Sequence, residues 1–298
     1  MDFLLNLLVS GLVVGSVYAL IAMGFAVIYR ATGMLNFAQG EVMMLAAYVA
    51  YMLAGWAPLG AVEDSPAALW LVVPGTLALA MLAGVALEFA FIRPMAGESL
   101  FAKVMATIAL AVMIRAVIVL AWGNEPQMMP RLLGNALLRI GPVALYTAQV
   151  AVLLALALTC AATWALFARS RAGLAMRATA NDESAALLMG IDVKRVYTLA
   201  WALAALYAGL AGLACAFLFS VEPAMSSLGL RAFPATILGG LDSVLGGALG
   251  GLVIGVLENL AGGYLGRGMK DIVGFLLIIV VLMVKPYGLF GTRRIERV

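Results

Sequence analysis

Apolar residues run along this chain in blocks of about twenty, unbroken by the alternation of a half-buried strand or the single stripe of a soluble helix. The windows Phe3 to Tyr29, Glu41 to Trp56, Ala67 to Ile92, Lys103 to Trp122, Pro142 to Phe167 and Val196 to Phe219 each predict a membrane-spanning helix. A glycine-rich stretch from Leu230 to Leu265 is interrupted at Gly239, Gly240, Leu241, Asp242 and Ser243, which predicts two shorter helices around a polar break. A last span follows from Ile272 to Val284. The expected fold is all-α: a polytopic integral membrane helical bundle of seven to nine spans, with a broken or re-entrant helix pair near 230–262. One transmembrane domain covers 1–298, and its longest polar loop is 169–195.

Composition agrees with this reading. Hydrophobic residues make up 65% of the chain and charged ones 11%, against about 25% charged in a soluble domain. Spans of about 20 residues leave no length for an extramembrane domain. The first apolar run lacks a basic leading segment, so it reads as a retained helix and not a cleaved signal peptide.

Lysine and arginine in short loops set orientation. With the N-terminus outside, the inner segments hold Arg30, Arg93, Lys103, Arg169, Arg171, Arg177, Lys194, Arg195, Lys285, Arg293, Arg294 and Arg297. The outer segments hold Arg131, Arg139, Arg231, Arg267 and Lys270, and Arg115 lies within a span. The imbalance predicts N-out and C-in, and both versions of the broken segment preserve it. The net charge of +3 therefore reports topology and implies no nucleic-acid partner. The outer connections Gly55 to Pro66, with Glu63 and Asp64, and Gly123 to Gly141 read as turns and short surface segments.

Several chemistries are excluded. The chain has no histidine, hence neither the commonest general base nor the commonest metal ligand. Cys160 and Cys215 sit in apolar runs and read as packing residues. None of the four lysines follows a glycine, so there is no phosphate-cradling loop and no ATP site of that kind. No catalytic residue, metal or cofactor is expected; energy from nucleotide would have to arrive through a partner.

The polar residues at membrane depth are the remaining candidates. Asn36, Gln39 and Glu41 lie in RATGMLNFAQGE, a glycine-punctuated turn tolerated in a membrane only when buried in protein or lining a wet cavity. They are pathway candidates, although Glu41 also suits the positive end of the second helix. Arg115, Glu258 and its neighbour Asn259 join them. A charge at that depth needs pairing or hydration, and Glu258 is the partner proposed for Arg115. Glu88 fits the interface beside Arg93. Gly11 and Gly15, and Gly247, Gly251 and Gly255, recur at the four-residue spacing that lets helices approach closely.

In the loop RSRAGLAMRATANDESAALLMGIDVKR, Asn181 or Asp182 can cap a short helix presenting Ala185, Leu188 and Met189. Two readings stand: a docking knob for another protein, or an amphipathic helix on membrane lipid held by Arg171, Arg177, Lys194 and Arg195.

Three segments, GLVVGSVYALIAMGFAVIYRATGMLNFAQGEVMMLAAY, RAGLAMRATANDESAALLMGI and GGLDSVLGGALGGLVIGVLENLAGGYLG with KDIVGFLLIIVVLMVKPYGLFG, resemble in order and nearly end to end the LivH-type permease of bacterial branched-chain amino acid ABC importers. The resemblance implies an inner-membrane permease domain that pairs with a second, LivM-like permease. Two cytoplasmic ATP-binding subunits would dock beneath it, and a periplasmic solute-binding protein would deliver the substrate. It places Arg177, Asn181, Asp182, Glu183, Ala185, Ala186 and Gly190 in the ATPase-coupling loop, with the glutamate, alanine and glycine pattern displaced by one residue. Gln39 departs from the family, many of whose members carry histidine there. A stand-alone channel or secondary carrier for small amphipathic solutes such as urea or amides is the alternative, and a membrane scaffold the third.

Overall fold

The computed structural model describes residues 2–56, 66–95, 97–130, 132–133, 136–140, 143–285 and 287–291. The turn with Glu63 and Asp64, the loop residues Arg131, Gly141 and Pro142, and the C-terminal Arg293, Arg294 and Arg297 lie outside the described residues. Helix α1 (Asp2–Thr32) is followed by α2 (Gln39–Trp56) and α3 (Pro66–Leu87). A π-helical turn (Glu88–Ile92) and a 3-10 turn (Arg93–Met95) continue α3 towards α4 (Leu100–Trp122). After a hairpin of β1 (Leu137–Ile140) and β2 (Val143–Tyr146) come α5 (Thr147–Arg169), α6 (Arg171–Asn181), α7 (Glu183–Leu188) and α8 (Val193–Leu218). A 3-10 turn (Pro223–Ser226) leads into α9 (Ser227–Gly239), α10 (Val244–Tyr264) and α11 (Arg267–Val284).

Six of these helical stretches are long and apolar enough to cross a membrane by themselves. With the shorter α2, α9 and α11 they form a polytopic helical membrane bundle. Burial ranks them. The apolar window of α1 is 89% buried and that of α8 72%, whereas those of α4 and α5 are each 22% buried. So α1 and α8 form the centre, while α4 and α5 turn residues such as Phe101, Leu120 and Leu158 outward, as lipid or a second subunit requires.

The glycine repeats have a geometric purpose. A Cβ placed on Gly11 would stand 2.7 Å from the Cα of Val256, and one on Gly15 3.0 Å from the Cα of Leu252. From the other side, Gly251 abuts Ala19 and Gly255 abuts Gly15. These contacts run in opposite directions along α1 and α10, so the two helices are antiparallel with backbones touching, the close approach that small residues permit within lipid.

Two helices start inside the bundle instead of at its edge. Gln39, the first residue of α2, lies against Gly24 of α1 and donates to the carbonyl of Ala204, midway along α8. From Gly24 to Thr32 is about 12 Å of helix at 1.5 Å per residue, and the segment Gly33 to Ala38 climbs back over that distance. Gly33, with φ +68°, makes the reversal that a side chain would strain. The start of α9 meets the start of α2: a Cβ on Gly229 would lie 2.6 Å from the Cα of Gly40.

The break between α9 and α10 falls at Gly240 to Ser243, within the predicted interruption, and Ser243 caps α10 by accepting from the Gly246 N–H at 3.1 Å. The chain's tail returns to this break. The N–H groups of Leu289 and Phe290 donate to the carbonyls of Leu238 and Gly239 at 2.8 and 3.1 Å.

Several boundaries differ from the sequence reading, among them the start of α11, at Arg267 where Ile272 was expected. The window expected to begin at Pro142 becomes helical only at Thr147, because Val143–Tyr146 pairs antiparallel with Leu137–Ile140. Loop 169–195 holds two helices, α6 and α7, where one was expected.

Candidate functional site

The polar turn between α1 and α2 is buried in protein. Asn36 Oδ1 accepts from the Ala38 N–H at 3.1 Å, its amide donates to Gln39 Oε1 at 3.4 Å, and Gln39 Nε2 donates to the Ala204 carbonyl at 2.9 Å. Both side chains, with Trp201, Ile28 and Gly84, surround a narrow void. The Trp201 indole N–H beside it is buried without a hydrogen-bond acceptor.

A second cluster joins the two internal helix starts to α4. Arg115 Nη2 lies 2.9 Å from Glu41 Oε1 and donates to Ser226 Oγ at 2.6 Å. Glu41 is 7% exposed, so its carboxylate depends on this cation. The expectation that Arg115 pairs with Glu258 is corrected: Glu41, in the first turn of α2, is the carboxylate that Arg115 reaches. Glu258 instead accepts from the Tyr18 hydroxyl at 2.9 Å in the α1–α10 seam. Asn259 lies in the same seam, its Cβ against Gly11 and its amide 3.5 Å from the Leu7 carbonyl.

Glu88 holds Arg93 at 3.3 Å and accepts from Thr198 at 2.9 Å, which ties the end of α3 to α8. The neighbour is Arg93, as the sequence suggested.

The loop residues are for the most part exposed. Asp182, and not Asn181, caps α7, accepting from the Ala185 N–H at 2.9 Å. Ala186 is buried, while Ala185, Leu188 and Met189 are exposed, the last two at 89% and 83%. Gly190 ends the helix with φ +81°, the left-handed stop that glycine supplies. Arg177, Asn181 and Glu183 are exposed in the same stretch, which packs back on the bundle through the buried Gly173, Met176 and Ala186.

Sequence reasoning missed a cavity of about 470 Å³ between α1, the end of α8, the start of α9 and the start of α11. Its polar lining is Tyr18, Ser220, Glu222, Ser227, Arg231 and Lys270. Arg231 and Lys270 had been read as loop cations reporting topology. The available signal was that Arg231 lies inside an apolar stretch, three residues before Pro234, where a topology charge has no reason to be.

Broken helices whose starts meet inside the bundle, beside a polar-lined cavity, suit a polytopic membrane permease. The chain belongs to the family described as the branched-chain amino acid transport system permease component, whose model matches residues 7–282. It is 33% identical over 307 residues to the high-affinity branched-chain amino acid transport system permease protein LivH of Salmonella typhimurium, covering 99% of this chain and 98% of that protein. Identity to the corresponding LivH of Escherichia coli is 31% over the same span, and to BraD of Pseudomonas aeruginosa 30% over 300 residues. No solved structure matches the chain.

Proposed function

We propose that this chain is the membrane-spanning subunit of an ABC importer that passes branched-chain amino acids through the inner membrane, with its N-terminus outside and C-terminus inside. The single supporting observation of most weight is α7. A helix capped by Asp182 and stopped by Gly190 presents Leu188 and Met189 to solvent, and apolar groups so exposed on a basic loop fit a groove in a partner better than water. Arg177, Asn181, Asp182, Glu183, Ala185, Ala186 and Gly190 then transmit ATP-driven closure of two cytoplasmic subunits to α8, the central helix that follows the loop. A second permease covers the outward faces of α4 and α5, and a periplasmic binding protein delivers solute. The names of the relatives supply the substrate class.

Asn36, Gln39, Glu41 and Arg115 form the mid-membrane gate in this reading. They hold the two internal helix starts together, and their separation opens the route to the inner side. The whole chain, 1–298, acts as one permease domain and does no bond-making chemistry.

The test is to tag the chain, extract it gently from its native host and identify what accompanies it by mass spectrometry. A second permease and ATP-binding subunits, with ATP-dependent uptake after reconstitution, are expected. A solitary chain that transports without ATP would overturn the reading.

A further inference from the structure

We infer that Glu88 is a positioning residue for transport: through Thr198 it pins the first turns of α8 to the end of α3, so that a displacement of α7 is passed along α8 to the contact between Gln39 and Ala204. This rests on the reading of loop 169–195 as the ATPase-coupling segment and adds the fixed point against which that segment works.

The pin is a product of local backbone. In an α-helix, side chains five residues apart stand about 140° apart around the axis, and Glu88 and Arg93 would point away from each other. The turn Glu88–Ile92 is π-helical, with the Arg93 N–H donating to the Glu88 carbonyl. This wider turn brings the two side chains to one side, with Glu88 Oε1 3.3 Å from Arg93 Nε. Together they hold one hydroxyl. Thr198 Oγ1 donates to Glu88 Oε2 at 2.9 Å and accepts from Arg93 Nη2 at 3.1 Å, which closes a ring of three side chains and occupies both carboxylate oxygens. Glu88 is 2% exposed. A buried ion pair is a weak source of stability beside apolar packing; what this one supplies is a fixed direction, at a type of turn frequent in functional sites.

The place of Thr198 on α8 decides what is fixed. Its neighbour Tyr197 hydrogen-bonds through the phenol to the Glu183 carboxylate of α7. Adjacent residues of α8 are thus held by the loop and by the end of α3. Further along, Trp201 and Ala204 lie within about 60° of Tyr197 around the helix axis. The Ala204 carbonyl receives Gln39, and Trp201, with its unpaired indole N–H, edges the void beside Asn36 and Gln39. On the side facing α3, Ala205 packs on Gly84 and Gly209 on Ala80. Those contacts are apolar and undirected, and they let α8 slide. The bond to Thr198, about 9 Å along the helix from Ala204, sets the register, so a push at Tyr197 tilts α8 about this point and moves the Ala204 carbonyl relative to Gln39.

The experiment uses the assembled transporter in liposomes with its binding protein, and measures ATP hydrolysed and radiolabelled leucine imported in one preparation. Thr198→Val keeps the side-chain shape and the Glu88–Arg93 pair but removes the hydroxyl. It is expected to raise the ATP hydrolysed per leucine imported about tenfold, Glu88→Gln to do the same, and Thr198→Ser to restore the wild-type ratio. A purely structural role would reduce the amount of assembled transporter and lower uptake and hydrolysis together. An unchanged ratio in Thr198→Val, or a ratio in Thr198→Ser as high as in Thr198→Val, therefore overturns the positioning role. Should Glu88→Gln fail to assemble, the two Thr198 variants decide alone. Leucine uptake by the wild-type assembly without ATP would instead overturn the importer reading, a result distinct from an unchanged ratio in an ATP-dependent transporter.

Discussion

Arg115, in the middle of the outward-facing helix α4, reaches Glu41 in the first turn of α2 with 2.9 Å between Nη2 and Oε1. The side chain of Arg115 is half exposed in this chain and that of Glu41 9% exposed, so the two ends of the pair have very different alternatives. Removing the cation leaves a buried carboxylate with no compensation, while removing the carboxylate leaves an arginine that can still reach Ser226.

Arg115→Leu is therefore expected to cost about 3 kcal/mol, the lower end for breaking a buried pair because Arg115 is itself half exposed. Glu41→Gln should cost less, and the double variant should recover part of the single loss. Thermal unfolding in detergent, read as a double-mutant cycle, checks the coupling.

The α1–α10 seam predicts a contrast between glycines. Gly255→Ala would drive a methyl into the backbone of Gly15, whereas Gly262→Ala finds its nearest neighbour, Lys270 Cβ, at 3.6 Å, ordinary contact. The first should lower the yield of monodisperse protein several-fold; the second should leave it unchanged. Size-exclusion profiles of the tagged proteins decide it.

At the turn before α2, Gln39→Leu removes the donor that satisfies the Ala204 carbonyl. About 1–3 kcal/mol of stability should be lost, and Gln39→Asn, too short to reach, should behave alike. Melting temperatures of the two variants against the parent test this.

In the loop, Asp182→Ala deletes the cap of α7 at a cost of about 1 kcal/mol, too little to disturb insertion. Leu188→Asp together with Met189→Asp should abolish recovery of ATP-binding subunits with the tagged chain, and Glu183→Lys should reduce uptake with insertion intact. If the double aspartate variant retains its partners, α7 is not the docking knob.

Apolar run length was enough to place every long helix, because lipid imposes one rule on all of them: about 20 residues with no unpaired backbone group. The break at Gly240 to Ser243 and the seam of Gly11, Gly15, Gly251 and Gly255 were also readable, since glycine at four-residue spacing has few other uses within a membrane. Pairing was not. Whether Arg115 meets Glu41 or Glu258 depends on which face of α4 packs on α2, and α4 is apolar all round, with no stripe to mark its inner side. The cavity escaped for a related reason. Arg231 and Lys270 lie near the starts of α9 and α11, where a loop charge and a cavity-lining charge look identical in one dimension. The hairpin of Leu137–Tyr146 was hidden because four-residue apolar strands merge into the window of the helix that follows.

The returning tail gives the break between α9 and α10 a property that neither helix has alone. The carbonyls of Leu238 and Gly239 lie at the end of α9, where a helix runs out of internal donors, and Leu289 and Phe290 supply them. Gly240 and Gly288, at φ +102° and +78°, pack so closely that a Cβ on Gly288 would lie 2.7 Å from the Cα of Gly240. Leu289 and Phe290 thus act as a splint across the break: the α9–α10 corner is sealed by a segment some fifty residues further along the chain, so it can close only after that segment has folded back onto it.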